Sequence, residues 1–183
     1  MIISIIKWIS FIPLNLFVSV VGRLLNPLVV LWADKNGKLP RYFIYFATLD
    51  NSLDGDNGWQ DKKWFKGSKS RIVRYINRVR WLMRNNCNGF HLLVTGFKVK
   101  PVFVYSSKGD EKVGNRPLHN GWVLRKLKQD GKTYFQFYYV KSWSKTNCIR
   151  ILLGWKIWQN PKVGENKMYS VNVNPFMGYS SVA

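Results

Sequence analysis

The sequence predicts an α+β chain: an apolar N-terminal helical segment, a basic amphipathic helix, and a C-terminal antiparallel β-sheet or small barrel. Three observations predict it. Residues 1–33 are almost unbroken apolar text. Residues 68–85 repeat apolar and arginine positions with the helical period. From residue 89 onward, β-branched and aromatic runs alternate with Gly, Asn, Asp and Pro. With 183 residues, 46% of them hydrophobic and 16% aromatic, the chain can bury a real core and lies far from the disordered class. The expected organisation is residues 1–39 as apolar membrane-seeking or docking helices, 40–67 as an acidic loop region, and 68–183 as the basic helix with the β domain.

The N-terminal segment is interrupted only by Lys7, Pro13, Asn15, Arg23, Asn26, Pro27 and a few serines. A cleaved signal peptide fits poorly, because Lys7 lies inside the apolar run and no small-x-small site follows. Ile2–Val21 has about the 20 residues a membrane span needs, with Pro13 and Asn15 near its middle. On a helical wheel at about 100° per residue, Ser4, Lys7, Asn15, Ser19, Arg23 and Asn26 share one arc of about 160°. The rest is apolar. Such a helix lies in a membrane interface or packs its apolar face on protein. The expected membrane or docking residues are Ile2, Ile5, Ile6, Trp8, Phe11, Leu14, Phe17, Val18 and Val21. Pro13 and Pro27 are expected to kink the helix or divide it.

Pro40–Leu49 is an aromatic lead-in, helix or strand, to the acidic stretch Leu49–Asp61. That stretch can be laid on a calcium-loop template, which needs oxygens at alternate positions and a glycine where the chain turns sharply. Asp50, Ser52, Asp54, Asp56 and Asp61 are the candidate Ca2+ ligands, with Gly55 at the turn. Asn57 stands where an apolar residue pairs loops, and Asp61 is shorter than the usual bidentate Glu. An Asx-turn loop without any ion has the same composition. A third reading pairs these carboxylates with arginines downstream.

Those arginines lie in Ser68–Asn85, which reads as an amphipathic helix capped by Ser68 or Ser70. Ile72, Tyr75, Ile76, Val79, Leu82 and Met83 form its apolar face. Arg71, Arg74, Arg78, Arg80 and Arg84 are the candidate contacts for phosphates or an acidic partner. Gly89 is expected in the turn that ends the helix. Strand-like runs follow at Phe90–Val99, Val102–Ser106, Gly121–Lys128, Thr133–Trp143, Cys148–Trp158 and Met168–Val173. Asp130-Gly131 marks a hairpin, and Gly154 suggests a bulge.

Net charge is +20, and it is uneven. Residues 1–64 hold seven Lys/Arg against five Asp/Glu, whereas residues 65–183 hold 22 against four. A field of that sign attracts phosphate on nucleic acid or anionic lipid, or an acidic partner chain. Basic residues interleaved with aromatics also describe single-strand nucleic-acid platforms. Cys87 and Cys148 are too few for a disulfide framework and read as buried thiols. With His91 and His119 they are the only soft metal ligands, without the paired spacing of a zinc site. No phosphate loop, dinucleotide fingerprint or nucleophile elbow occurs. An enzyme of this composition would be a metal-dependent hydrolase built on the acidic loop.

Three stretches resemble a family of small tailed-bacteriophage proteins. They are Phe11–Asn15 with Leu28–Asp34 and Leu39-Pro40; Leu49–Trp59, with its Asp-Asn-Ser-Leu-Asp-Gly-Asp core; and Trp81–Asn85 with Asn88–Phe90. Leu153–Lys156 is similar too. The sequence departs from that pattern at Thr48-Leu49, where Thr-Pro is expected, and at Asn86–Gly89, where a Pro-Ala-Tyr-Gly-like run is expected. The resemblance implies a phage origin and carries no activity or site residues. The expectation is therefore a non-enzymatic structural or accessory protein, in a virion or at the host inner membrane. Its apolar N-terminus would dock on virion subunits or lipid, as part of an assembly. The alternatives are a nucleic-acid-binding accessory protein and the metal-dependent hydrolase.

Overall fold

The computed structural model describes residues 1–49, 51–54 and 70–179. The α+β expectation holds, with helices followed by a mostly antiparallel sheet. The chain divides into two compact units, Met1–Ile12 with Gly96–Ala183, and Pro13–Thr95.

The first helix, α1 (Ile2–Val30), contributes to both units and holds Pro13 and Pro27 inside it. The prolines therefore do not divide it. Each removes one backbone donor without interrupting the helix.

In the Pro13–Thr95 unit, α1 is followed by a turn in which Asp34 Oδ1 accepts the backbone N–H groups of Asn36 and Lys38. The lead-in is neither a long helix nor a strand but a 3-10 turn, Arg41–Phe43. Helix α2 (Arg71–Arg84) has Ser70 at its N-cap. Its buried face is rotated from the expected one: Asn77, Arg78, Trp81 and Leu82 are buried, while Ile72 and Ile76 are exposed. Cys87 in the left-handed region, φ 50°, starts a second short helix, α3 (Asn88–Leu93). A strand had been expected from Phe90. The helix forms instead because the N–H groups of Gly89 and Phe90 are taken by the carbonyls of Ala47 and Tyr45. Gly89 is thus a helix residue rather than a turn residue. A Cβ there would lie 1.8 Å from the Ile44 carbonyl oxygen, so only glycine allows the approach. Val29, Val30, Leu39, Ala47, Leu53, Trp81 and Leu82 make the core.

The other unit is built on five antiparallel strands in the order β2-β5-β6-β7-β9. They are β2 (Val104–Gly109), β5 (Gly121–Gln129), β6 (Lys132–Ser142), β7 (Asn147–Trp155) and β9 (Tyr169–Gly178). The pairs β1 (Phe97–Lys98) with β8 (Asn166–Lys167), and β3 (Gly114–Asn115) with β4 (Leu118–His119), lie outside it. Strands β2 and β9 are the sheet's two edges, so it is an open sheet and not a barrel. The expected hairpin is present, with Asp130 and Gly131 both at positive φ, as a two-residue turn of this twist requires. The bulge falls between Cys148 and Arg150 rather than at Gly154. Gly154 has another reason: at φ 101°, its Cβ would meet the Phe135 carbonyl oxygen at 2.1 Å.

Alternation along the strands gives the sheet two different faces. On one, Val123, Tyr138 and Leu152 align across three strands and are buried with Val113, Val140 and Cys148. On the other, Leu124, Phe137, Leu153 and Val171 form one cross-strand row, and Trp122, Tyr139, Ile151 and Val173 form the next. None of these eight is buried.

Candidate functional site

The candidate site is the surface of α1. Its buried or half-buried positions recur every three or four residues: Ser4, Trp8, Phe11, Asn15, Ser19, Gly22, Asn26 and Val29. They include most of the polar residues of the wheel. Asn26 is fully buried and donates Nδ2–H to Asn86 Oδ1 at 3.1 Å. Asn86 in turn donates to the Ser19 carbonyl at 2.7 Å, and the Cys87 thiol donates to the Val18 carbonyl. Gly22 permits this packing, since a Cβ there would lie 2.3 Å from Cys87 Sγ. Near the N-terminus, Trp8 Nε1–H donates to the Ser170 carbonyl and Tyr169 O–H to the Trp8 carbonyl. Trp8 also meets the rings of Phe135 and Tyr169.

The opposite arc is apolar and bare. Ile3 is 83% exposed and Leu24 is 74% exposed; Ile2, Ile6, Ile9, Leu16, Phe17, Val20, Leu28 and Leu31 share that side. The helix therefore buries Ser4, Asn15 and Asn26 with Val29 and Val30, and leaves much of its apolar surface uncovered. Of the expected docking residues, Ile2, Ile5, Ile6, Leu14 and Phe17 are exposed. Trp8, Phe11, Val18 and Val21 are half-buried. By length and composition α1 is also the one helix, among the described residues, able to cross a membrane.

Beside α1 in the Pro13–Thr95 unit lies an open cavity of about 390 Å³, walled by Val18, Val21, Tyr45, Phe46, Cys87 and Phe90. Burial pushes the Cys87 thiol up to about 11, so it stays protonated. Both cysteines are free and buried.

The acidic turn is reached only in part. Asp50, Asp56 and Asp61 lie outside the described residues. Asp54 is bound by Arg78, whose Nε and Nη2 reach its two oxygens at 2.7 and 3.0 Å. Arg78 also donates to the carbonyls of Asp34 and Lys35. The Ser52 carbonyl accepts from Trp81 Nε1 at 3.1 Å. The downstream-arginine reading thus describes Asp54. Arg78 is 7% exposed and committed to these bonds, whereas Arg71, Arg74, Arg80 and Arg84 are exposed. Among the described residues, no three His, Cys, Asp or Glu side chains converge.

One polar cluster was not anticipated. Arg125, 3% exposed, donates from Nε to Glu111 at 2.7 Å and from Nη1 to Gln136 Oε1 at 3.0 Å. Tyr105 O–H donates to Glu111 at 2.6 Å. Burial pushes the Tyr105 hydroxyl up to about 12, with the Glu111 hydrogen bond and charge adding to it. Burial also raises the Glu111 carboxyl, but hydrogen bonds from Tyr105, Ser107 and Arg125, with the Arg125 charge, more than offset it and hold it below its usual range. The only sequence signal for this cluster was an arginine on the inward phase of a strand.

Residues 1–181 match the model of a family of unknown function, DUF7338, and the chain belongs to that family. No curated protein and no solved structure matches it.

Proposed function

We propose that this DUF7338 member is a non-enzymatic accessory protein of bacteriophage origin that docks on the host inner membrane through the apolar arc of α1 and turns its basic β unit toward phosphates or acidic partners. The observation that carries the reading is the uncovered apolar side of α1. Ser4, Asn15, Ser19 and Asn26 are turned inward, while Ile2, Ile3, Ile6, Ile9, Leu16, Phe17, Val20 and Leu24 are turned out. Exposed apolar patches of this extent mark interaction surfaces, and lipid is the surrounding this reading assigns to the bare side of α1. The helix lies in the interface rather than across it. Buried positions run from Ser4 to Val30, so one side of the helix faces protein along its whole length and the other is left for the interface. Phage origin draws on the Leu49–Trp59 motif and its companions in the sequence.

The test is vesicle flotation of the full chain against the triple variant Leu16→Lys, Val20→Lys, Leu24→Lys. All three positions are exposed, so the fold is retained. The expected result is a drop of at least about tenfold in the floated fraction, with circular dichroism unchanged. A variant that floats as well as the parent overturns the reading. So does a parent that ignores vesicles and appears at fixed copy number in purified virions, where the apolar arc would cover a neighbouring subunit.

A further inference from the structure

We infer that the open face of the five-stranded sheet is a second docking surface, for the headgroup layer of an anionic phospholipid bilayer. The inference rests on the membrane reading of α1 and deepens it.

Three observations carry it. The first is the apolar character of this face. Leu124, Phe137, Leu153 and Val171 in one row, and Trp122, Tyr139, Ile151 and Val173 in the next, all retain exposure. Five of the eight are aliphatic and three aromatic, so aliphatic area, which lipid takes and bases do not, makes up most of the face.

The second is charge. None of the five strands contains an acidic residue. By alternation, Lys108, Lys126, Lys128 and Lys141 fall on the open face, with Lys108 paired to Leu124 and Lys141 to Ile149. The carboxylates of this unit are engaged elsewhere: Asp110 with His119, Glu111 with Arg125, Asp130 with Lys100 and Glu165 with Lys167. An apolar field bordered by lysines on β2, β5 and β6 complements a layer whose outer atoms are phosphates and whose inner atoms are methylenes.

The third is position within the unit. Trp8 and Phe11 of α1 rest on Phe135 and Tyr169, at the end of this same face. Phe135 alternates with Phe137 and Tyr139, and Tyr169 with Val171 and Val173. The bare side of α1 there points away from the sheet. A helix is about 10–12 Å across, and an interfacial helix sinks about 5–10 Å. The sheet surface it rests on then comes to within a few ångströms of the headgroups.

The experiment places an environment-sensitive fluorophore on Val173→Cys in the full chain, and separately on Leu24→Cys as a reporter of α1. The native thiols are buried and stay unlabelled. Vesicles are phosphatidylcholine alone or mixed with phosphatidylglycerol. The expected result is a blue shift at both positions on mixed vesicles, with the Val173→Cys shift much reduced on phosphatidylcholine. Adding Lys108→Glu and Lys128→Glu, both exposed, weakens the Val173→Cys response by about thirtyfold, at about five- to sixfold per lysine.

A shift at Leu24→Cys with none at Val173→Cys overturns this inference and leaves the α1 reading standing. No shift at either position overturns both. An equal Val173→Cys shift on neutral vesicles removes the charge argument and overturns the inference. A Val173→Cys shift with oligothymidylate, and none with vesicles, assigns the face to nucleic acid and also overturns it.

Discussion

Arg78 shows how a residue that reads as a ligand of something outside can be spent on the inside. Its guanidinium holds both Asp54 oxygens and two backbone carbonyls at once. A planar fork is required, and an ammonium cannot replace it. Arg78→Lys is expected to destabilise by about 2–4 kcal/mol in urea titration, since it strands a nearly buried charge. Arg125→Met should cost about 3–5 kcal/mol, leaving the Glu111 carboxylate without its countercharge and Gln136 Oε1 without its donor. Lys156 behaves in the opposite sense. Burial, with the Arg150 charge nearby, lowers its ammonium to about 8. The folded chain then binds fewer protons there than the unfolded chain between about pH 8 and the ordinary lysine value. Stability from this group is therefore absent at pH 7 and grows as pH rises through that window. Lys156→Met is expected to be more stable than the parent at pH 7 by about 2 kcal/mol. The difference should shrink toward pH 10 in parallel thermal melts.

At the scale of elements, the parts with a strong local period were legible. The helix after Ser70 and the strands from Gly121 to Trp155 appear within a few residues of where alternation and turn chemistry put them. What was illegible depended on distant backbone. Asn88–Leu93 carries β-type apolar text, and it is helical because the carbonyls of Tyr45 and Ala47 take its first donors. Gly89→Ala should report this directly. Its methyl has no room beside the Ile44 carbonyl, so the variant is expected to lose several kcal/mol in denaturant titration, well beyond the ~1 kcal/mol of a typical substitution. The α2 face was misjudged because a buried arginine looks polar in any sequence pattern. For α1 the pattern was read correctly as two arcs, but a wheel cannot say which arc meets the protein. That answer came from Asn26, Asn86, Ser19 and Gly22 fitting together.

At the scale of the molecule, a chain of net charge +20 presents one sheet with no acidic residue and one helix with its apolar side bare. On anionic vesicles, binding should combine a salt-sensitive part, from lysines such as Lys128, with a salt-resistant part from α1. Raising ionic strength should therefore lower affinity to a plateau rather than to zero in a flotation series, and a fall to zero would leave α1 without a role. The continuity of α1 also decides how this protein can be prepared for study. Its first 12 residues belong to one compact unit and the remainder to the other. Clipping off residues 1–30, the usual remedy for a greasy leader, would strip Trp8 from Phe135 and Tyr169, and Asn26 from Asn86, leaving raw interior on both units. Repainting the outer arc with polar side chains while keeping the inner one is the route to a detergent-free sample. The shortened chain should aggregate where the repainted one stays monodisperse.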